Sequence, residues 1–156
     1  MGSGVSNAKQ TQVGCRDSVE FREFDFWVGD WTVVANGKPA GASSVQLILD
    51  DCVILENWTG ARGYNGKSFN IYNPALKKWQ QFWVDNTGGS ILFTGEFKDG
   101  KLNYQSETVQ PDGSVVSGKM SFQKIPDRKV RQVWEQSTDH GKTWKVVFDG
   151  VYTRKN

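Results

Sequence analysis

Glu56 lies in the run Asp51-Cys52-Val53-Ile54-Leu55-Glu56-Asn57-Trp58, two residues from a tryptophan. Asp85 ends a second run of the same character, Trp79-Gln80-Gln81-Phe82-Trp83-Val84-Asp85. A carboxyl group buried among large aromatics has its pKa pushed toward neutrality, where it can exchange a proton with a bound molecule. With both carboxyls on one interior face, Glu56 and Asp85 are a candidate acid–base pair. In a cofactor-independent site of this kind Glu56 is the first candidate catalytic group and Tyr72 its helper. Other catalytic signatures are missing. The single histidine, His140, falls in the turn sequence Asp139-His140-Gly141, so neither a serine-type triad nor haem ligation is expected. No His, Cys and carboxylate cluster has zinc spacing. No metal or cofactor is expected.

Alternate residues of an extended strand share a face. That period groups Cys52, Ile54, Glu56 and Trp58, then Ser68, Asn70 and Tyr72, then Trp79, Gln81, Trp83 and Asp85. Tyr104 and Trp134 join from later strands. Large aromatics interleaved with single polar groups suit a pocket wall better than a solid core. The candidate ligand-binding set is therefore Glu56, Trp58, Asn70, Tyr72, Gln81, Trp83, Asp85, Tyr104 and Trp134. The opposite face, with Val53, Leu55, Phe69, Ile71, Phe82 and Val84, is also apolar. Periodicity leaves open which of the two points inward, although turning Trp79 and Trp83 outward would expose a large apolar surface.

The elements that must position these groups are strands. Turn signals recur at Asn36-Gly37, Asn65-Gly66, Asn73-Pro74, Gly88-Gly89, Asp99-Gly100, Pro111-Asp112-Gly113, Pro126-Asp127 and Asp139-His140-Gly141. Between them lie runs rich in Val, Ile, Phe, Trp, Tyr and Thr. These predict strands over Trp27–Asn36, Ala42–Asp50, Cys52–Thr59, Lys67–Tyr72, Lys78–Asp85, Ser90–Phe97, Leu102–Val109, Ser114–Gln123, Lys129–Gln136 and Lys142–Thr153. Only Asp17–Phe26 holds a helical turn, placed to cap one end. About ten sequential strands with short loops predict an all-β, single antiparallel up-and-down barrel, because closure removes both exposed edges.

Composition agrees with a globular chain. Hydrophobic residues are 37% of 156, charged residues 23% and aromatics 13%. A net charge of +2 directs the chain to neither nucleic acid nor an acidic membrane surface, and no apolar run is long enough for a span. Met1-Gly2-Ser3-Gly4 reads as an expression scar. The small polar stretch after it reads as the lead that follows a removed export signal. Residues 1–14 are accordingly read as disordered lead and residues 15–156 as the barrel domain. Cys15 and Cys52 lack metal or redox spacing. They are either a disulfide tying the N-terminal segment to the barrel or two unrelated buried thiols.

Phe24-Asp25-Phe26-Trp27-Val28-Gly29-Asp30-Trp31 carries a Gly-x-Trp at the first strand. This resembles the opening motif of lipocalins and other calycins. The longer pattern Phe-Asp-Phe-Trp-x-Gly-x-Trp is followed by Asp51-Cys52-Val53-Ile54-Leu55-Glu56-Asn57-Trp58, Gly66-Lys67-Ser68-Phe69-Asn70-Ile71-Tyr72 and Trp79–Asp85. Together these resemble a family of exported bacterial lipocalin-like proteins to which no reaction is assigned. The resemblance spans Cys15 to Arg154. It implies a barrel, a Trp31 pointing into its base with Arg154 closing over it, and the Cys15–Cys52 bridge. A bridge that persists places the chain in the periplasm or outside the cell.

Ser137-x-Asp139-x-Gly141-x-Thr143-Trp144 resembles the Asp-box hairpin of sialidase-type propellers, a structural brace without catalytic meaning. The function expected is binding of a small hydrophobic or aromatic molecule in the lumen, by a monomer or homodimer. The alternative is a cofactor-independent cyclase or isomerase using a lumen carboxylate. A third reading is an interaction protein whose barrel is filled.

Overall fold

The computed structural model describes residues 14–156. The lead read over residues 1–14 therefore lies outside the described residues, apart from Gly14. Ten strands follow in chain order: β1 Gly29–Ala35, β2 Lys38–Ile48, β3 Val53–Gly60, β4 Asn65–Asn73, β5 Lys78–Asp85, β6 Ser90–Lys98, β7 Lys101–Val109, β8 Val115–Ile125, β9 Lys129–Ser137 and β10 Lys145–Arg154. Each pairs antiparallel with the next, and β10 returns to β1, aligning Trp31 with Arg154 and Val33 with Tyr152. The closed up-and-down barrel leaves no free strand edge, as the turn spacing predicts. No helix among the described residues is long and apolar enough to cross a membrane.

The turns explain where the strands stop. Asn36-Gly37 and Asp99-Gly100 both hold two successive positive φ angles, the conformation that matches the twist of a two-residue hairpin. Most expected boundaries move by a residue or two, and β2 begins at Lys38, four residues before the expected Ala42; two further shifts have a local cause. Cys52 belongs to a turn, and β3 begins at Val53, because Leu49, Asp50 and Asp51 take φ of 52°, 55° and 63° in succession. Left-handed non-glycine residues carry strain and need outside support. Here the support is covalent and ionic: Cys52 is bridged to Cys15, Arg16 pairs with Asp51 at 2.7 Å, and the Arg22 guanidinium donates to the Asp51 carbonyl. β10 begins at Lys145 instead of Lys142, because the Asp-box residues form a brace of their own. The Asp139 carboxylate accepts from the Thr143 amide at 2.9 Å, and Ser137 Oγ accepts from the Gly141 amide at 2.8 Å.

The inward side chains form two regions. One end is solid. The helical turn predicted over Asp17–Phe26 is a four-residue helix, α1 (Val19–Arg22), followed by a 3-10 turn, Asp25–Trp27. This segment pushes Phe24 and Trp27 into the barrel, stacked at 4.8 Å and packed on Phe122. Trp31 Nε1 donates to the Trp27 carbonyl at 2.8 Å, and the Arg154 guanidinium lies 4.4 Å from the Trp31 ring centroid. A guanidinium held on an indole face contributes cation–π energy. The other end is open.

Tight packing of β6 on β7 makes a sharp prediction. A Cβ on Gly95 would fall 1.7 Å from the Asn103 carbonyl oxygen, which is backbone and cannot step aside. We expect Gly95→Ala to lower stability by about 2–3 kcal/mol through forced strand separation, seen as a drop in the urea midpoint at unchanged m. An unchanged midpoint would mean that the two strands are farther apart than this.

Candidate ligand-binding site

Above the aromatic plug the barrel holds a cavity of about 580 Å³, within the range of small-molecule sites. Its walls are Trp58 on β3, Trp83 on β5, Ile91 and Phe93 on β6, Trp134 on β9 and Phe148 on β10. Its floor is Glu56, Gln81, Met120, Gln132 and Tyr152. The mouth lies between the β1–β2 turn and the β3–β4 loop, rimmed by Lys38, Arg62 and Tyr64. Strand alternation places this lining. Register sets Glu56 beside Ser68, Ser68 beside Trp83, and Asn70 beside Gln81.

The floor is a directional hydrogen-bond chain. Gln81 Nε2 donates to Asn70 Oδ1 at 2.8 Å, Asn70 Nδ2 to Ser68 Oγ at 3.0 Å, and Ser68 Oγ to Glu56 Oε1 at 2.9 Å. Ser43 Oγ reaches Glu56 Oε2 at 3.4 Å, and Tyr104 OH donates to Asn70 Oδ1 at 3.1 Å. Tyr152 OH donates to Gln132 Oε1 at 2.6 Å. Glu56 is only 5% exposed. Burial pushes its carboxyl up to about 7, against the smaller opposing effect of the Ser68 and Ser43 hydroxyls. Burial, and then the nearby Glu56 charge, hold the Tyr104 and Tyr152 phenols well above their usual range, so both remain donors.

Five of the nine residues read from the sequence as ligand-binding candidates line the cavity: Glu56, Trp58, Gln81, Trp83 and Trp134. Asn70 and Tyr104 are fully buried and act through the floor network. Tyr72 is at the closed end, edge-on to Phe21 at 5.6 Å and to Trp79 at 6.1 Å, so it does not join Glu56 at the cavity. Asp85 is held at the rim, accepting from Tyr64 OH at 2.8 Å, Trp83 Nε1 at 3.2 Å and the Thr87 and Gly89 amides. These bonds, the Thr87 hydroxyl foremost, hold its pKa well below the usual carboxylate range. It is a fixed anion bracing a loop and does not form an acid–base pair with Glu56.

The lining also includes residues outside the sequence-based set: Ile91, Phe93, Met120, Gln132, Phe148 and Tyr152. Tyr152 is in phase with Arg154, and Gln132 with Trp134, so the same alternation could have found them. Trp134 lines the lumen, while its Nε1 is buried beside Gly118 without a hydrogen-bond partner among the described residues. His140 sits at a hairpin tip with φ of 57° and does not line the cavity; with Trp144 it borders an outer groove. Comparison with protein-family models and with curated proteins finds no match for this chain.

Proposed function

We propose that the protein binds one small apolar or aromatic molecule in the open half of its barrel. The observation that carries this reading is the cavity of about 580 Å³ walled by Trp58, Trp83, Phe93, Trp134 and Phe148 over a polar floor. A filled barrel would place side chains where this space is. Glu56, which has acceptor capacity to spare, would orient the molecule. The barrel and its Trp31–Arg154 closure support membership of the lipocalin-like group. The Cys15–Cys52 bridge supports a periplasmic or secreted location. The protein acts as a monomer or homodimer.

A neutral aromatic dye, N-phenyl-1-naphthylamine, tests the site. It should bind with energy transfer from lumen tryptophans, and Ile91→Trp, which fills the cavity, should weaken binding at least about ten-fold. Phe82→Lys, on the outer face, should leave it unchanged. Binding insensitive to the filled lumen but lost in Phe82→Lys would place the dye on the outer surface and overturn the reading.

One observation favours a second reading. A floor carboxyl held near 7 is poised for proton transfer, so an acid–base enzyme with Glu56 as the reacting group is the alternative. Turnover of a bound molecule with a rate set by the Glu56 titration would establish it; stoichiometric binding without turnover would not.

A further inference from the structure

We infer that the ligand is an aromatic amine, its ammonium seated on Glu56 and its ring among the lumen tryptophans. This rests on the lumen-binding reading above. Three features of the cavity point to it. First, Glu56 is the ionisable carboxyl of the cavity floor, and none of the ion pairs among the described residues involves it. Lys38 and Arg62 are at the mouth, exposed and solvated. A buried carboxylate without a counter-ion is costly unless a cation arrives with the ligand.

Second, the carboxylate is under-used. It has about four acceptor positions. Two are taken, by Ser68 Oγ and Ser43 Oγ, and both donors come from the neighbouring strands β4 and β2. The cavity side is left for a donor that the protein does not provide. Third, the walls suit a cation. Trp58, Trp83, Trp134 and Phe148 present aromatic surface above the carboxylate, and the negative faces of such rings attract an ammonium group as well as stacking on an aromatic body. The other groups facing Glu56 are the two serines and the phenols of Tyr104 and Tyr152, which stay protonated, so the charge of the floor is set by Glu56.

Three probes of nearly equal size and different charge separate this inference from the reading beneath it: 1-naphthalenemethylamine, 1-naphthalenemethanol and 1-naphthoate. Each is titrated calorimetrically into the whole protein at about pH 8, where both Glu56 and the amine are ionised. The amine should bind about ten-fold or more tightly than the alcohol, and the carboxylate most weakly. The amine's advantage should shrink at about pH 5.5, where Glu56 is protonated, and disappear in Glu56→Gln at both pH values. An alcohol or carboxylate that binds as tightly as the amine overturns the inference and leaves lumen binding standing. An amine preference that survives Glu56→Gln also overturns it. If none of the three probes binds, lumen binding fails with it. The wild-type comparison is complete without the variant, so a folding defect in Glu56→Gln cannot obscure the result.

Discussion

Replacing Glu56 with glutamine should leave stability nearly unchanged at pH 4 and raise it by about 3 kcal/mol at pH 8, at ~1.4 kcal/mol per unit of pKa difference. The sign follows from where the proton resides. In the folded barrel the Glu56 carboxyl titrates at about 7, and its ordinary value is 4.5. Below the lower value both states hold the proton, and the residue adds no pH dependence. Between the two values the unfolded chain releases its proton while the folded chain keeps it, so unfolding becomes progressively easier. Above about 7 both are ionised, and the full difference has been lost from the native state. Glutamine carries no charge, yet its carbonyl can accept from Ser68 Oγ and its amide can turn toward Ser43 Oγ, the two partners of the carboxylate. Other carboxyls also titrate across this range. Burial raises Glu23 and Asp25, and hydrogen bonds depress Asp139. They are common to both proteins and cancel when the variant is compared with wild type at each pH. Urea midpoints from pH 4 to 8 measure the difference. A constant offset across the range would mean that Glu56 is hydrated by lumen water and titrates normally.

Glu56 was legible in the sequence because its neighbours declare its face. Ile54 and Trp58 share its phase, and Ser68 and Asn70 repeat the pattern on the paired strand. What periodicity could not decide was which side of that sheet is interior. Phe69 and Phe82 face each other across β4 and β5, with Leu92 next in the row, all on the outside and all about half exposed. A sheet that is apolar on both faces gives no alternation of polarity to read. Depth was equally hidden. Tyr72 is in phase with Asn70, but it lies at the end that the N-terminal segment fills, and only the barrel's closure shows that Phe21 reaches it. Asp85 is in phase with Gln81, and its role was set by a loop whose amides needed an acceptor. Phase along a strand therefore identified the face, while height within the barrel depended on contacts distant in sequence.

Removing the Cys15–Cys52 bridge, by Cys15→Ser with Cys52→Ser, should cost about 3–4 kcal/mol, lowering the melting temperature by roughly 6–16 °C. The two residues are 37 apart, and opening that loop restores much conformational freedom to the unfolded chain. The native barrel should keep its shape. Phe24 and Trp27 remain fully buried in the plug, and Trp79 Nε1 still donates to Glu23 Oε2 at 3.1 Å, so the N-terminal segment is held by burial as well as by sulfur. The local change should fall on the left-handed turn at Leu49–Asp51. Without the bridge that turn relies on the Arg16–Asp51 pair and on Arg22, and Arg16 is largely exposed and weakly paired in water. Hydrogen exchange should accordingly quicken through local opening at residues 15–18 and 49–52, while amides of β5 to β9 that exchange only by global unfolding lose protection in step with the global loss. Thermal melts with and without reductant, beside the double variant, read the global term. A loss below about 1 kcal/mol would mean that the reduced, unfolded chain already holds its N-terminal segment against the β2–β3 hairpin, because only a denatured state with that contact has little freedom left to regain.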